Sequence, residues 1–191
     1  MTALQGLRDT GRIEAGQKIL INGAAGGVGT FAVQIAKWLG ADVTGVCSTK
    51  NVEMVPSLGA DRVIDYTRED FTKSAQRYDL LFDCVGNHSL LTCRRVLTPK
   101  GKCIVAGGPH GGWIRPLDRL IKALVLSWFG GQTVPFVANG SNEGLSTLSE
   151  LMESGKVTAV IDKRYRLSEV PEALRYLEEG HVRGKVVVSL E

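Results

Sequence analysis

A short glycine-rich segment is the first feature of the sequence with a clear chemical use. Residues 24–29 read Ala-Ala-Gly-Gly-Val-Gly and lie between an apolar, strand-like run and a segment with helical spacing. Gly26 has no Cβ to keep the backbone away from a pyrophosphate, and Gly29 allows the helix to lie close to the strand. The helix N-terminus offers free N–H groups to phosphates. The segment therefore matches the dinucleotide-binding fingerprint with Ala24 as its first position; a tight turn without a ligand is the alternative.

The residues after the second predicted strand indicate which dinucleotide would bind. An enzyme that selects NAD usually has an acidic residue there, roughly 20 residues after the glycines, which accepts a hydrogen bond from the ribose 2′-hydroxyl. This chain has Ser48 and Lys50 at that point and no carboxylate. A hydroxyl and an ammonium suit the 2′-phosphate of NADP(H), and Tyr66 after the third strand is placed to reach the same phosphate or the adenine. A solvated loop charge and a surface aromatic are the alternatives for Lys50 and Tyr66.

Other reactive side chains give no further site. The four cysteines form no C-x-x-C pair and have no histidine at ligand spacing, so we expect no metal site. His88, His110 and His181 are isolated from any nucleophile motif. Asp83 ends a predicted strand and is expected to order a loop, and nothing argues for a lowered pKa of the Cys84 thiol. We assign no catalytic residue.

The elements that would position these residues alternate strand and helix. This rhythm predicts an α/β fold, a doubly wound parallel (Rossmann) sheet of about six strands. The predicted strands are Lys18–Asn22, Asp42–Cys47, Arg62–Asp65, Tyr78–Asp83, Lys102–Ala106 and Gln132–Val137. The predicted helices of this part are Val28–Leu39, Asn51–Leu58, Asn87–Val96, Leu117–Trp128 and Asn142–Ser154.

The last part of the chain predicts a separate tail. It contains strand-like residues at Val157–Leu167, a helix at Val170–Glu179 and a strand at Lys185–Ser189. We expect a dinucleotide-binding domain over 1–155 and a strand–helix–strand tail over 156–191.

Composition excludes several classes of protein. The chain has 191 residues, 43% of them hydrophobic and 23% charged, which is typical of a folded globular domain. The formal net charge of +3 does not by itself indicate a nucleic-acid partner. The longest apolar stretch, Leu120 to Phe129, is too short to span a membrane, and the cysteines do not form a disulfide framework. We expect a cytoplasmic protein with no membrane and no nucleic-acid partner.

Four sequence segments resemble one known family. The run ILINGAAGGVGTFAVQIAK, the segment CSTKNVEMVPSLGADRVIDYTREDF, the DCVGN at 83–87 and the tail HVRGKVVV are similar to the medium-chain dehydrogenase/reductase superfamily. The resemblance is to its zinc-independent, quinone-oxidoreductase-like branch and covers nearly the whole chain. It implies an NADPH-dependent oxidoreductase that acts on quinones, enones or other carbonyl compounds.

The resemblance also implies a set of cofactor-binding residues. Residues at the glycine turn would hold the pyrophosphate, and residues after the second and third strands would hold the adenosine phosphate. Residues after the fourth strand would lie by the ribose, and those after the fifth by the nicotinamide, with two more completing the site. In chain order these residues are Ala25, Gly26, Gly27, Val28, Gly29, Ser48, Lys50, Tyr66, Val85, Gly86, Gly107, Gly108, Phe136 and Lys185.

The family carries an N-terminal catalytic domain that precedes this region, and the tail strands pack toward it. We therefore expect this chain to be the cofactor-binding half of such an enzyme, with a non-catalytic NADPH-binding module acting through a partner as the alternative. The resemblance further implies a homodimer formed through the sixth strand, whose residues carry little charge.

Overall fold

The computed structural model describes residues 1–107, 133–136, 142–180 and 182–190. Its strands are β1 (Lys18–Asn22), β2 (Asp42–Cys47), β3 (Arg62–Asp65), β4 (Tyr78–Asp83), β5 (Leu97–Val105), β6 (Thr133–Pro135), β7 (Ile161–Arg166) and β8 (Lys185–Ser189). Its helices are α1 (Thr2–Leu4, continued by a π-helical segment Gln5–Gly11), α2 (Gly29–Trp38), α3 (Met54–Ser57), α4 (Leu90–Arg94), α5 (Asn142–Glu153) and α6 (Val170–Glu178).

Six strands form one parallel sheet in the order β3-β2-β1-β4-β5-β6. The chain winds outward from β1 to β3 and then returns to place β4 on the other side of β1. The strand order therefore reverses between β1 and β4, and in such sheets ligands bind in the crevice at the carboxyl ends of the strands at that point. The predicted doubly wound parallel sheet is confirmed.

Continuous apolar runs explain why the central strands lie inside the fold. Ile19, Leu20 and Ile21 of β1 are fully buried. Ile19 and Ile21 belong to a core cluster with α1 and α2, whereas Leu20 belongs to a second cluster on the opposite face. Successive side chains of a strand alternate between faces, so such a run requires cover on both sides. Each fully buried side chain of this size contributes about 1.5–3 kcal/mol.

Several boundaries differ from the predicted ones. The helix predicted from Asn87 begins only at Leu90, because the Ser89 hydroxyl caps it by accepting from the backbone N–H of Thr92 at 3.1 Å. Strand β5 begins at Leu97, earlier than predicted, and its pairing with β4 is irregular between Tyr78 and Leu80.

Further predicted elements are shorter or lie outside the described residues. The region of the predicted helix Asn51–Leu58 forms a 3₁₀ turn at Thr49–Asn51 and the short helix α3. The predicted helix Leu117–Trp128 lies outside the described residues, as do both ends of the predicted strand Gln132–Val137.

The first residues of the tail pack against the core and hydrogen-bond to helix α2. Val157 is fully buried in the core cluster of α1 and α2. The buried amide of Gln34 on α2 donates to the carbonyl of Thr158 at 2.9 Å and accepts from the Thr158 N–H at 2.8 Å. Beyond this link, β7 and β8 form a separate two-stranded parallel sheet. The Tyr176 hydroxyl of α6 donates to the Asp162 carboxylate of β7 at 2.6 Å. A domain division at 155/156 stays a prediction.

Candidate functional site

The turn between β1 and α2 begins at a glycine that the sequence analysis did not single out. Gly23 has φ +85°, a left-handed conformation that favours glycine, and a Cβ there would lie 2.6 Å from Cγ2 of Val85. The N–H groups of Gly23 and Ala24 both donate to the carbonyl of Val46 in β2, at 3.1 and 2.9 Å. Gly23, the residue before the fingerprint, therefore makes the sharp turn, and its place directly after the last strand residue was the available signal.

Two fingerprint glycines differ in what surrounds them. A Cβ on Gly29 would overlap the carbonyl oxygen of Gly23, so the backbone of α2 lies directly on the end of β1. A Cβ on Gly26 would meet only the Gly23 carbonyl oxygen, at an ordinary contact distance of 3.4 Å. Space beside Gly26 is thus left open by the described residues, as a cradle for a bound group requires.

Backbone donors line this cradle. No side chain caps α2, and the N–H groups of Gly27, Val28 and Gly29 have no hydrogen-bond acceptor within the described part of the chain. The first N–H groups of a helix lack partners within the helix and, with the helix dipole, attract anions. The turn therefore presents three donors next to open space, which fits a pyrophosphate.

The tail brings a cation to the same turn. The N–H of Gly184 donates to the carbonyl of Ala25 at 2.8 Å. The next residue, Lys185, lies so close that a Cβ on Gly27 would sit 3.1 Å from its Nζ. The structure thus brings Lys185 together with the glycine turn, although the two are far apart in sequence.

The loops after β2 and β3 are joined to each other beside the turn. Thr49 and Thr67 approach with their hydroxyl oxygens 2.8 Å apart, and the N–H of Tyr66 donates to the carbonyl of Cys47 at 3.0 Å. Tyr66 is 57% exposed and Lys50 is exposed. The Ser48 hydroxyl oxygen accepts from the Asn51 amide at 3.1 Å, which leaves its proton to be donated. Ser48, Lys50 and Tyr66 therefore stand on two adjoining loops.

A carboxylate that the sequence analysis did not consider, Asp65, lies between these loops. One oxygen accepts from the backbone and the hydroxyl of Thr67, at 3.0 and 2.7 Å. The other accepts from the Thr49 hydroxyl at 2.5 Å and faces Arg68 at 3.5 Å. The Thr49 hydrogen bond, followed by those from Thr67 and the charge of Arg68, holds the pKa of Asp65 below its usual value. Asp65 is ionised and joins the two loops.

A second carboxylate, which is fully buried, organises the ends of β1, β4 and β5. Asp83 is fully buried, and its Oδ1 accepts from the backbone N–H groups of Val85 and Gly86 at 3.2 and 2.8 Å. The same oxygen accepts from the side chain of Asn22 at 2.9 Å. The N–H of Gly107 donates to the Asp83 carbonyl at 3.1 Å. Asp83 orders the loop, as predicted, and brings Val85, Gly86 and Gly107 to one edge of the sheet.

The backbone of Gly107 lies directly against the Cys84 carbonyl at the carboxyl edge of the sheet, so a Cβ on residue 107 would overlap that carbonyl. Phe136 directly follows β6 and packs, half-buried, against the core cluster of α1 and α2. Gly108 lies outside the described residues.

The two described thiols near the site, Cys84 and Cys47, are not activated as nucleophiles. Burial, followed by the charge of Asp83, raises the pKa of the Cys84 thiol, so this thiol is protonated at neutral pH. Burial and Asp65 raise the pKa of Cys47 to about 11. The His88 ring packs edge-on against Phe71 with centroids 4.9 Å apart, whereas His110 and His181 lie outside the described residues. Within the described ranges, no group of three or more His, Cys, Asp and Glu side chains is placed to hold a metal ion.

The described residues also contain no helix that is long and apolar enough to cross a membrane.

Comparison with known proteins finds dehydrogenases and oxidoreductases. A family model described as zinc-binding dehydrogenase matches residues 58–188. The chain is 37% identical over 198 residues to "NAD(P)H oxidoreductase RTN4IP1, mitochondrial" of Mus musculus, covering 92% of this chain and 48% of that protein. It is 36% identical over 194 residues to "NADPH-dependent alkenal/one oxidoreductase, chloroplastic" of Arabidopsis thaliana, covering 98% of this chain and 44% of that protein.

A solved structure, the quinone oxidoreductase from Coxiella burnetii, superposes on the whole chain with a TM-score of 0.85 at 29% identity, and the match covers 57% of that chain. The chain thus spans about half the length of the relatives it matches. The family match, the relatives and the sheet with its glycine turn agree. The chain belongs to the zinc-binding dehydrogenase family, in the quinone-oxidoreductase-like branch of the medium-chain dehydrogenase/reductase superfamily.

Proposed function

We propose that the chain is the cofactor-binding part of an NADPH-dependent oxidoreductase that reduces quinones, enones or other carbonyl compounds. The open cradle at Gly26 carries this proposal, because three unpaired N–H donors and Lys185 surround a space that the described residues leave free. The names of the relatives include NAD(P)H, quinone and alkenal/one oxidoreductases, which supports the same reaction class.

Preference for NADPH over NADH rests on the loops after β2 and β3. Ser48 keeps a hydroxyl proton to donate, and Lys50 forms no ion pair with another described residue. Asp65 is the carboxylate between these loops, but Thr49, Thr67 and Arg68 occupy its oxygens. Both Asp65 oxygens thus already have partners within the protein, whereas Ser48 and Lys50 are donors available to the 2′-phosphate of NADPH.

The nicotinamide cofactor would supply the hydride, and the chain's residues bind and orient it. Gly26 to Gly29 and Lys185 would hold the pyrophosphate, while Val85, Gly86 and Gly107 would form the surface beside the nicotinamide nucleotide. Phe136 and Gly108 are proposed to complete this end. We assign no side chain as proton donor, since water or a cofactor hydroxyl can protonate the product.

Lys50→Ala is expected to remove much of the preference for NADPH. In the unmodified chain, NADPH should bind more tightly than NADH by about 1–3 kcal/mol, the contribution of charge-assisted hydrogen bonds. Isothermal titration of both cofactors measures the difference. Lys100→Ala is the matched control, because Lys100 is an exposed lysine in the first half of β5, away from the carboxyl end of the sheet. Equal affinities of the unmodified chain for both cofactors contradict the assignment.

A non-catalytic NADPH-binding module acting through a partner is the second candidate function. Its support is that the described site residues account for cofactor binding, through backbone N–H groups and Lys185. NADPH oxidation at 340 nm, measured with a panel of quinones and enones, distinguishes the two candidates. Turnover is expected of a reductase, whereas binding without turnover favours the module.

A homodimer through the sixth strand is part of the proposal. Among the described strands, β6 lies at one edge of the sheet, and an unpaired edge can pair with a second copy. Pro135 lacks an N–H donor, so the other residues of this short strand would make the contacts. We expect a light-scattering mass near twice 20.6 kDa. A mass of one chain at high concentration contradicts the dimer. Phe136→Lys is a poor test, because Phe136 also packs against the core.

Two further expectations stay predictions. The tail from residue 156 is proposed to pack on the catalytic domain of a longer enzyme, and it exposes the apolar side chains Leu167, Leu174 and Leu190.

Thiols without disulfides favour the cytoplasm, whereas the names of two relatives place them in mitochondria and chloroplasts.

A further inference from the structure

Three polar side chains at the ends of β1 and β4 form a chain of hydrogen bonds. Asp83 accepts from Asn22 at 2.9 Å, and Asn22 also donates to the Asn87 side-chain oxygen at 3.0 Å. Asn22 and Asp83 are buried, whereas Asn87 is exposed at the carboxyl edge of the sheet. Neither asparagine is among the residues proposed to bind the cofactor.

The hydrogen bonds fix the direction of the Asn87 amide. Asp83 Oδ1 already accepts from two backbone N–H groups, so Asn22 must turn its Nδ2 toward it. The second proton of that Nδ2 then requires an acceptor on Asn87, which is Oδ1. Asn87 Nδ2 is consequently on the side away from Asn22, and it has no partner among the described residues.

The strand order indicates which part of a dinucleotide passes this donor. The adenosine loops follow β2 and β3, and the pyrophosphate turn follows β1. A dinucleotide that continues in the same direction across the sheet reaches β4 next and β5 after it. The ribose of the nicotinamide nucleotide follows the pyrophosphate directly, so it lies at the end of β4, and the ring lies toward β5. Asn87 is four residues beyond the end of β4.

We propose that Asn87 is a specificity-determining residue that donates from Nδ2 to a hydroxyl of the nicotinamide ribose, with Asn22 and Asp83 as its positioning residues. This inference rests on the proposed function, since it requires a nicotinamide dinucleotide in the crevice. It assigns the recognition of the ribose hydroxyls to a side chain, in addition to the surface that Val85 and Gly86 are proposed to form beside the nicotinamide nucleotide. The amide needs no rearrangement on binding, because two buried groups already hold it.

The test compares Asn87→Leu with the unmodified chain against three ligands. Leucine keeps the approximate shape of asparagine and removes the amide. Asn22 loses one acceptor, but water can replace it at this exposed position, so we expect the variant to fold. Affinity for NADPH should fall about 3- to 10-fold, the effect of one hydrogen bond. Affinity for adenosine 2′,5′-bisphosphate, which ends before the second ribose, should not change. An NADPH analogue without hydroxyls on the nicotinamide ribose should bind the variant and the unmodified chain equally.

The NADPH analogue distinguishes a direct contact of Asn87 with the ribose from a role of Asn87 in holding the loop after β4. If Asn87→Leu weakens the analogue as much as NADPH, the amide only holds the loop and the inference is wrong. An unchanged affinity for NADPH overturns it as well. If the unmodified chain binds neither NADPH nor adenosine 2′,5′-bisphosphate, the proposed function fails, and this inference fails with it. A loss of affinity that is confined to NADPH supports both the proposed function and the role of Asn87.

Discussion

Gly26→Val is expected to abolish NADPH binding while the sheet and its helices still form. The valine side chain would fill the space beside the turn, where the described residues offer only one atom within 4 Å, the Gly23 carbonyl oxygen at 3.4 Å. Gly26 has no positive φ, so its backbone accepts a side chain without strain. A pyrophosphate pushed from the turn loses at least two charge-assisted hydrogen bonds, each about 1.5–3 kcal/mol. Affinity should therefore fall by more than about 100-fold.

Isothermal titration measures the affinity, and circular dichroism with thermal unfolding reports the fold. The matched control is Gly26→Ala, which adds one methyl group to the same space and should weaken binding less. A valine variant that retains the affinity of the unmodified chain shows that the pyrophosphate does not bind at this turn. A variant that unfolds contradicts the open geometry beside Gly26.

Gly29→Ala is expected to produce the opposite result, a loss of stability. The new Cβ would overlap the carbonyl oxygen of Gly23 and lie 2.8 Å from the Ala24 Cα, and both are backbone atoms that cannot rotate away. Helix α2 must therefore shift from the end of β1, although its inner face is packed in the core. Overpacking of this kind costs about 3 kcal/mol or more. For a domain of this size the midpoint of thermal unfolding should fall by roughly 6–12 °C.

Thermal and urea unfolding of the unbound chain measure this effect. Gly26→Ala is again the control, because it places the same methyl group three residues earlier in the same turn. The free energy of unfolding of Gly29→Ala should be lower than that of Gly26→Ala by nearly the full cost of overpacking, about 3 kcal/mol. Equal stabilities would show that α2 adjusts to the added methyl group, and would remove close packing as the reason for glycine at position 29.

The sequence was sufficient to predict the central architecture because local patterns determine it. The run Lys18–Asn22 is apolar on both faces, and the following segment to Leu39 has helical spacing, so both elements were predicted within one residue. The fingerprint directed attention to Gly26 and Gly29, and the structure shows how differently the two are packed.

Contacts between distant residues could not be predicted in this way. Asn22 and Asn87 are 65 positions apart, and Gln34 and Thr158 are 124 apart, so no local pattern links them. Asn87 and Ser89 are both residue types that can cap a helix, so the sequence left two possible starts for α4. In the structure the Ser89 hydroxyl caps the helix, whereas the Asn87 side chain hydrogen-bonds to Asn22. Asp65 was not considered because its role depends on hydroxyl donors from a neighbouring loop. Family resemblance alone implied Lys185 as a cofactor-binding residue, and its position at the glycine turn was not predicted.

The hydrogen bond from Gly184 to Ala25 joins the tail and the glycine turn through backbone atoms alone. Gly184 has φ +74°, and a Cβ on it would overlap Val160, so this junction requires glycine. A ligand whose binding alters this hydrogen bond would change the energy of the tail, and such an effect is reciprocal. A protein domain docked on the tail would change the affinity for a dinucleotide by the same factor as the dinucleotide changes the affinity for that domain. In a two-domain enzyme, such thermodynamic linkage makes domain association and cofactor loading a single coupled equilibrium.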